Sequence, residues 1–505
     1  MRLCLAAACL VAGCAVSGRD MNTRPEAPGN GNAVVFPAPP GVEASPDYRV
    51  FVQDREVFCY SGKACTGHRF DRTRDTYVFP NTPLTYAIFD IEGRVRVRVR
   101  PREGLVRDEA ALDLSPRARG IRPRFVGGEL EFELDGPGDL SILPNGDAHH
   151  ALHLLVGAPE RDIPDPDDPN VLYYGPGLHD TDSVSLKSGQ TLYLAGGAVL
   201  FHRPKHRGPA KFQVYRRGAK TRGWSAASVW VRGATNVTVR GRGIISGVGL
   251  DPYKTLSRMI EMQGCTNVVV RGVTVVGGNN WDLHFANCEN VRVEGARVLG
   301  WFANTDGICI DGCRGAVVRD CFVRGYDDGL EVKTMKPGIP CRNVLFENCL
   351  MWTRCGAALG VTNEILAPMS DITWRNITIT EFKGGEWKDV FVPGRAPIFV
   401  HAAYGGGVRN LRFENITIEK CIGRMLYLGN RPAKPRENSG CGIENVRFRN
   451  IRADNVTKPI MVVSDESGKG RIKEIVFENV RLNGRPVVPD DERFRLRGGV
   501  GVSVK

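Results

Sequence analysis

No Cys-x-x-Cys pair occurs among the 15 cysteines of this 505-residue chain, so a zinc finger does not organise it. Beyond the N-terminus, no segment offers the roughly 20 uninterrupted apolar residues that a membrane-spanning helix needs. Blocks of like charge are missing too. Lysine and arginine outnumber aspartate and glutamate by 68 to 56, but they are scattered singly along strand-like segments. Without a basic stripe interleaved with aromatics, a nucleic-acid partner is excluded. The net charge of +12 then means either a solvated basic surface or attraction for an acidic polysaccharide. What is abundant is glycine: 59 residues suit an all-β chain with many tight turns better than a helical one.

The N-terminus reads Met1-Arg2, an apolar run from Leu3 to Ala12, then Gly13-Cys14. This is the pattern of a secretory signal, and Val11-Ala12-Gly13-Cys14 resembles a bacterial lipobox. We therefore expect a signal over residues 1–20, with cleavage before Cys14, lipidation of its thiol and attachment to a membrane through that lipid. The location expected is the bacterial cell envelope, or the medium if the protein is secreted. Residues 21–47, rich in proline, glycine and asparagine, read as a flexible linker. Short alternating segments over residues 48–185 predict a β-sandwich-like domain. Cys59 and Cys65 lie close enough in sequence to close a small disulfide loop in an oxidising compartment.

An internal repeat takes over in residues 186–485, followed by a tail over 486–505. Its units start at Asn236, Asn267, Asn290, Gly315, Asn343, Asp371, Asn410, Asn445 and Glu474. One and three residues after each start comes an apolar pair, such as Val268 and Val270 or Val446 and Phe448. Such alternation marks a strand with one buried face. Five residues after each start stands Gly, Asn or Asp (Gly241, Gly272, Gly295, Asp320, Asn348, Asn376, Asn415, Asn450, Asn479), the types that accept a left-handed corner. The starts are 23 to 39 residues apart, so coils of short strands must carry loops of variable length. The expected fold is all-β: a right-handed parallel β-helix preceded by the sandwich-like domain. Cys265, Cys288, Cys313 and Cys341 share one position in the repeat and predict a ladder of buried thiols rather than a metal site.

Two acidic clusters sit one unit apart. Asn304-Thr305-Asp306-Gly307 is followed by Asp327-Asp328-Gly329, at 21 and 22 residues beyond Asp306. Equivalent residues of stacked coils lie about 4.8 Å apart, so Asp306 should neighbour Asp327 and Asp328. Mutual repulsion then raises the pKa of at least one of them, as a general acid requires, while an ionised partner can activate water. Consecutive strand residues face opposite ways, so both members of the doublet can reach one cleft only at a strand end or bulge; Gly325 and Gly329 permit that distortion. On spacing alone, Asp306 and Asp328 could instead cap β-turns.

These motifs, with Asn280-Trp281-Asp282-Leu283-His284 upstream, resemble the polygalacturonase family of glycoside hydrolases, family 28, over roughly residues 175–483. The resemblance implies Asp327 as general acid and Asp306 and Asp328 as the groups that activate water for inversion, with no metal or cofactor. Inverting enzymes hold acid and base about 6.5 to 9.5 Å apart to admit that water. Two departures weaken galacturonan as substrate. The family's Gly-His-Gly falls at Arg354-Cys355-Gly356, and its Arg-Ile-Lys is replaced by Pro397-Ile398-Phe399-Val400-His401. A sandwich ahead of the helix is similar to the layout of family 49 dextranases and isopullulanase, which act on neutral α-glucans. Lys333, His401, Trp281 and Asn304 are the expected substrate-binding residues, with Trp301 a further sugar-stacking candidate; Trp352 and Trp374 fit the core. Two other classes remain open. One is a polysaccharide lyase using Asp306, Asp327, Asp328 and Glu331 to bind Ca²⁺; the other is a non-catalytic carbohydrate-binding β-helix.

Overall fold

A computed structural model describes residues 32–505, apart from 68, 72, 74–75, 147, 206–207, 210–222, 225, 252–254, 384–394, 403, 431–440, 465–470, 489–490 and 499. Cys14 and the expected signal lie outside the described residues. No helix among those described is long and apolar enough to cross a membrane.

The repeat forms a parallel β-helix. Among the described residues, one sheet of 22 strands wraps two sides of the coil and a second, of 11 strands, forms the remaining wall. Registers are unbroken from coil to coil: Val237 pairs with Val268, Val268 with Val291, and Val291 with Ala316. The apolar pairs of every unit point inward. Phe346, Trp374, Phe413, Phe448 and Phe477 stack down the interior with ring centroids 5.5, 4.6, 5.0 and 4.8 Å apart.

All nine expected corner residues have positive φ, from 50° at Asn479 to 125° at Gly241. The unit starts do as well, from Asn236 at 57° to Glu474 at 58°. Each coil therefore turns at two left-handed positions, and asparagine serves at both because its amide also bonds its counterpart one coil away. Nδ2 of Asn376, Asn415, Asn450 and Asn479 donates to Oδ1 of Asn348, Asn376, Asn415 and Asn450 at 2.9 to 3.2 Å. The cysteine ladder is present. Cys265 and Cys288 donate backbone N–H to the sulfurs of Cys288 and Cys313 at 3.4 Å, and all four thiols are buried and free.

Ahead of the helix, a five-stranded and a six-stranded sheet, pairing almost entirely antiparallel, face one another across a core that includes Val50, Val97, Phe132, Phe89 and Leu154. The outer face of the six-stranded sheet (Tyr60, Leu84, Tyr86, Ile88, Leu155) lies on Val199, Ile244, Val276, Leu299, Phe322 and Leu350 of the helix. Buried polar contacts fix this docking: Arg242 with Asp90 at 2.8 Å, Arg297 with Asp139 at 3.3 Å, and Arg324 with His153 at 2.6 Å.

Four expectations are corrected. Cys59 and Cys65 end a single strand, Cys59–Cys65. Six residues of extended chain hold them about 20 Å apart, far beyond the Cα separation of about 7 Å that a disulfide tolerates, and both are free. The linker is shorter than 21–47, because Ala33–Val35 forms a strand against Asn81–Ile91; its apolar side chains found a sheet edge. Coiling begins before residue 186, since Val171–Tyr174 already pairs with Thr191–Leu194. Residues 486–505 are not simply a tail. Phe494–Arg497 extends the 11-stranded sheet and Val502–Val504 pairs with Ile472–Leu482, continuing the stack to its end.

Candidate active site

The outward face of the 11-stranded sheet carries the site. In each of its strands alternate residues enter the core: Leu283 and Phe285, Ile308 and Ile310, Leu330 and Val332. Their neighbours His284, Cys309 with Asp311, and Glu331 with Lys333 therefore face outward. Because Ile308 pairs with Leu330, Asp306 and Asp328 are level in the turns that feed these two strands. The doublet lies between the Phe322–Gly325 and Leu330–Thr334 strands, the strand end that two adjacent outward carboxylates require. Gly356 presses on it: a Cβ there would stand 2.1 Å from the carbonyl carbon of Asp327, so only glycine fits.

Four coils contribute to one charged cluster. Lys333 Nζ lies 3.6 Å from Asp306 Oδ2, 3.2 Å from Glu331 Oε2 and 3.2 Å from Glu364 Oε2, and it also stands 4.7 Å from the centre of the Trp281 ring. A guanidinium nitrogen of Arg395 lies 3.2 Å from Asp327 Oδ1 and 3.1 Å from Asp328 Oδ1. The backbone N–H of Ala357 donates to Asp328 Oδ1 at 2.7 Å, and the backbone N–H of Asn304 donates to Asp327. Asp306, Asp328 and Glu331 each present an oxygen within 4.8 Å of the others. That spacing would admit a cation, but the Lys333 ammonium already supplies positive charge at Asp306 and Glu331.

Burial governs the titration here more than mutual repulsion does. It pushes the Asp306 carboxyl well above the usual range, with the Glu331 charge adding to the rise and Lys333 opposing it. Asp327 is raised by burial against the pull of Arg395, with Asp328 adding to the rise. Glu331 is likewise raised by burial, against Lys333. Burial works against the Lys333 ammonium, yet Glu331, Glu364 and Asp306 outweigh it and push its pKa well up. The cluster thus sets carboxyls whose protonated form burial favours beside the fixed cations Lys333 and Arg395, a contrast of environments suited to acid and base catalysis.

Residues 181–491, well over half of the chain, match the family described as Glycosyl hydrolases family 28. The chain belongs to glycosyl hydrolases family 28. No curated protein matches it. Among solved structures, this family 28 hydrolase is similar to Dex49A from Penicillium minioluteum, with a TM-score of 0.54 and 13% identity over 94% of this chain and 96% of that one. It is also similar to a family 28 exopolygalacturonase from Yersinia enterocolitica, with a TM-score of 0.51 and 15% identity over the same shares of the two chains. A hyperthermoactive exopolygalacturonase from Thermotoga maritima matches with a TM-score of 0.50 and 15% identity, over 66% of this chain and 83% of that one. At these identities the likeness is one of fold.

Of the residues expected in the family 28 site, Asp306, Asp327, Asp328 and Lys333 converge, and Trp281 stands beside them, half-buried, with Arg258 4.7 Å from its ring centre. Asn304 takes part through its main chain, turning at φ 57° to aim its N–H at Asp327. His401 does not join them. It is 1% exposed, bonded through Nδ1 to Asn363 Oδ1 at 2.7 Å, and carried on the second strand beyond that of Lys333. Trp301 donates to the Gly277 carbonyl at 3.4 Å beside the cleft turns. Trp374 lies in the core, and Trp352 is buried between the helix and the N-terminal domain against Leu143, Ala148 and Ala151. Cys355, where the family has histidine, is buried among Cys65, Phe79, Phe302 and Tyr326, and burial holds its thiol well above the usual range.

Arg395 is the site residue that sequence reasoning missed, along with Glu364. Neither lies in a motif, and Arg395 reaches the doublet only because Leu359 and Ile398 pair, bringing the segment before Ile398 alongside Cys355 and Gly356. The weak signal available was a lone arginine two residues before Pro397, ahead of an apolar strand.

Proposed function

We propose that this hydrolase cleaves an α-linked polysaccharide or oligosaccharide with inversion. Asp327 protonates the departing glycosidic oxygen, and Asp306 with Asp328 activates the attacking water. The observation that carries this reading is the convergence, from adjacent coils, of buried Asp327 with an Asp306–Asp328 pair whose oxygens lie within 4.8 Å of one another. Two cations at the cleft are held by carboxylates, Lys333 by Asp306, Glu331 and Glu364 and Arg395 by Asp327 and Asp328. Pro397-Ile398-Phe399-Val400-His401 occupies the approximate place of the family's Arg-Ile-Lys. Both features favour a neutral α-glucan over galacturonan.

The test is incubation of the protein with pectic and α-glucan panels, following new reducing ends and the anomeric configuration of the first product by NMR. Asp327→Asn should lower kcat by about 10² to 10⁴ with KM little changed. Full activity in that variant, or an unsaturated product absorbing in the ultraviolet, would reject the assignment.

We also propose that the chain is held at the cell envelope by lipid on Cys14, on the strength of its lipobox-like sequence. Cys14→Ser should abolish incorporation of labelled palmitate; unchanged labelling would reject the anchor.

A further inference from the structure

Glu331 is a buried carboxyl that the three-aspartate scheme leaves idle. It faces the cleft because Leu330 and Val332 on either side are committed to the core. Its two oxygens differ. Oε2 accepts from Thr362 Oγ1 and lies 3.2 Å from Lys333 Nζ. Oε1 is buried and has no protein hydrogen-bond partner among the described residues, and the same holds for Asp306 Oδ1. A buried polar oxygen in a native structure normally has a partner; Asp306 and Glu331 bond one another side chain to side chain, and the oxygens that this bond leaves open call for a donor from outside the protein.

The geometry says which donor fits. Oxygens of Asp306, Asp328 and Glu331 all lie within 4.8 Å of one another. A water donating both O–H groups at ordinary lengths holds its two acceptors about 4.4 Å apart. A divalent cation fits less well, since its charge would meet the ammonium that stands 3.6 Å from Asp306 and 3.2 Å from Glu331. Nor is Glu331 needed merely to balance Lys333, which Asp306 and Glu364 already flank.

We propose that Glu331 is a further catalytic group, its Oε1 holding the attacking water together with Asp306 and Asp328. This rests on the inverting reading above and deepens it. As the water oxygen bonds to the anomeric carbon, the bond to the glycosidic oxygen breaks and that oxygen takes the Asp327 proton. The proton lost by the water passes to the Asp306–Asp328–Glu331 cluster, and solvent exchange then clears the cluster and reprotonates Asp327. Atoms and charge balance with water as the sole co-substrate.

The experiment uses the full chain with Glu331→Gln and Glu331→Ala. Gln keeps the size and the hydrogen bond toward Thr362 but offers the water a poorer acceptor. The expected result is a fall in kcat of about a hundredfold with KM within about threefold. In Glu331→Ala, added azide should restore turnover and yield a glycosyl azide of inverted configuration, which a purely structural role would not produce. Wild-type kcat in Glu331→Gln, or lost activity in Glu331→Ala that azide cannot restore, overturns the assignment. Failure of the underlying reading is seen separately, in the wild-type protein, as retention of configuration or absence of hydrolysis.

Discussion

Replacing Arg395 with methionine tests the electrostatic design of the doublet. The guanidinium lies 3.2 Å from Asp327 and 3.1 Å from Asp328. At an effective dielectric constant of about 20, unit charges that close attract by about 5 kcal/mol, and the cost of burying the arginine offsets part of this. Removing one partner of a buried pair typically costs about 3–5 kcal/mol; the Arg395 side chain is 24% exposed, which places the expected loss near the low end, about 3 kcal/mol. The loss should depend on pH. Without the cation, Asp327, which burial already raises, loses the pull that opposed the rise, so the folded state keeps its proton further above the unfolded value of about 4. Stability is then fully present near pH 4 and is lost as the pH rises. Urea denaturation at pH 4 and pH 7 should show the two proteins nearly equal in acid and separated near neutrality. In the same variant the alkaline limb of kcat/KM should move to higher pH, because Asp327 keeps its proton longer. A deficit equal at both pH values, or a limb that stays put or moves toward acid, would refute the reasoning.

Two further predictions concern the scaffold. Trp374 is fully buried between Phe346 and Phe413 and donates Nε1–H to the Leu330 carbonyl at 3.2 Å, two residues from Asp328. Trp374→Ala should cost about 3–5 kcal/mol by urea denaturation, whereas Trp374→Phe should cost mainly the hydrogen bond and the unfilled volume, about 1–2 kcal/mol; equal losses would show that the stack contributes little. His153 is held neutral in the fold, its pKa pushed well below the usual value by burial and by Arg324. The unfolded chain takes up a proton below about pH 6.5 that the folded chain refuses, so stability should fall as the pH drops below that value. His153→Gln should flatten this acid slope, and an unchanged slope would assign it to other groups.

Positive φ at every Gly, Asn and Asp five residues after a unit start was legible because only those residue types tolerate such a corner. The same backbone geometry at the starts themselves was not read, since Glu474 among them conceals the preference. Short-range patterns also misled at the edges. Cys59 and Cys65 are near in sequence but far apart in space, because the intervening residues are extended. The Ala33–Val35 strand looked like tether until a sheet edge received it.

The sequence by itself determined the solenoid, its inward-facing residues and the meeting of Asp306 with Asp327 and Asp328. All of these follow from periodicity: a coil that repeats in sequence must stack in space, and stacked coils bring equivalent residues together. Only the tertiary structure decided what surrounds the three acids. Arg395 and Glu364 arrive on coils whose loops differ in length, and His401 is turned to Asn363. Burial, the largest cause of the raised carboxyl pKa values, depends on everything packed around the groups and so has no signature in the spacing of the residues that carry them.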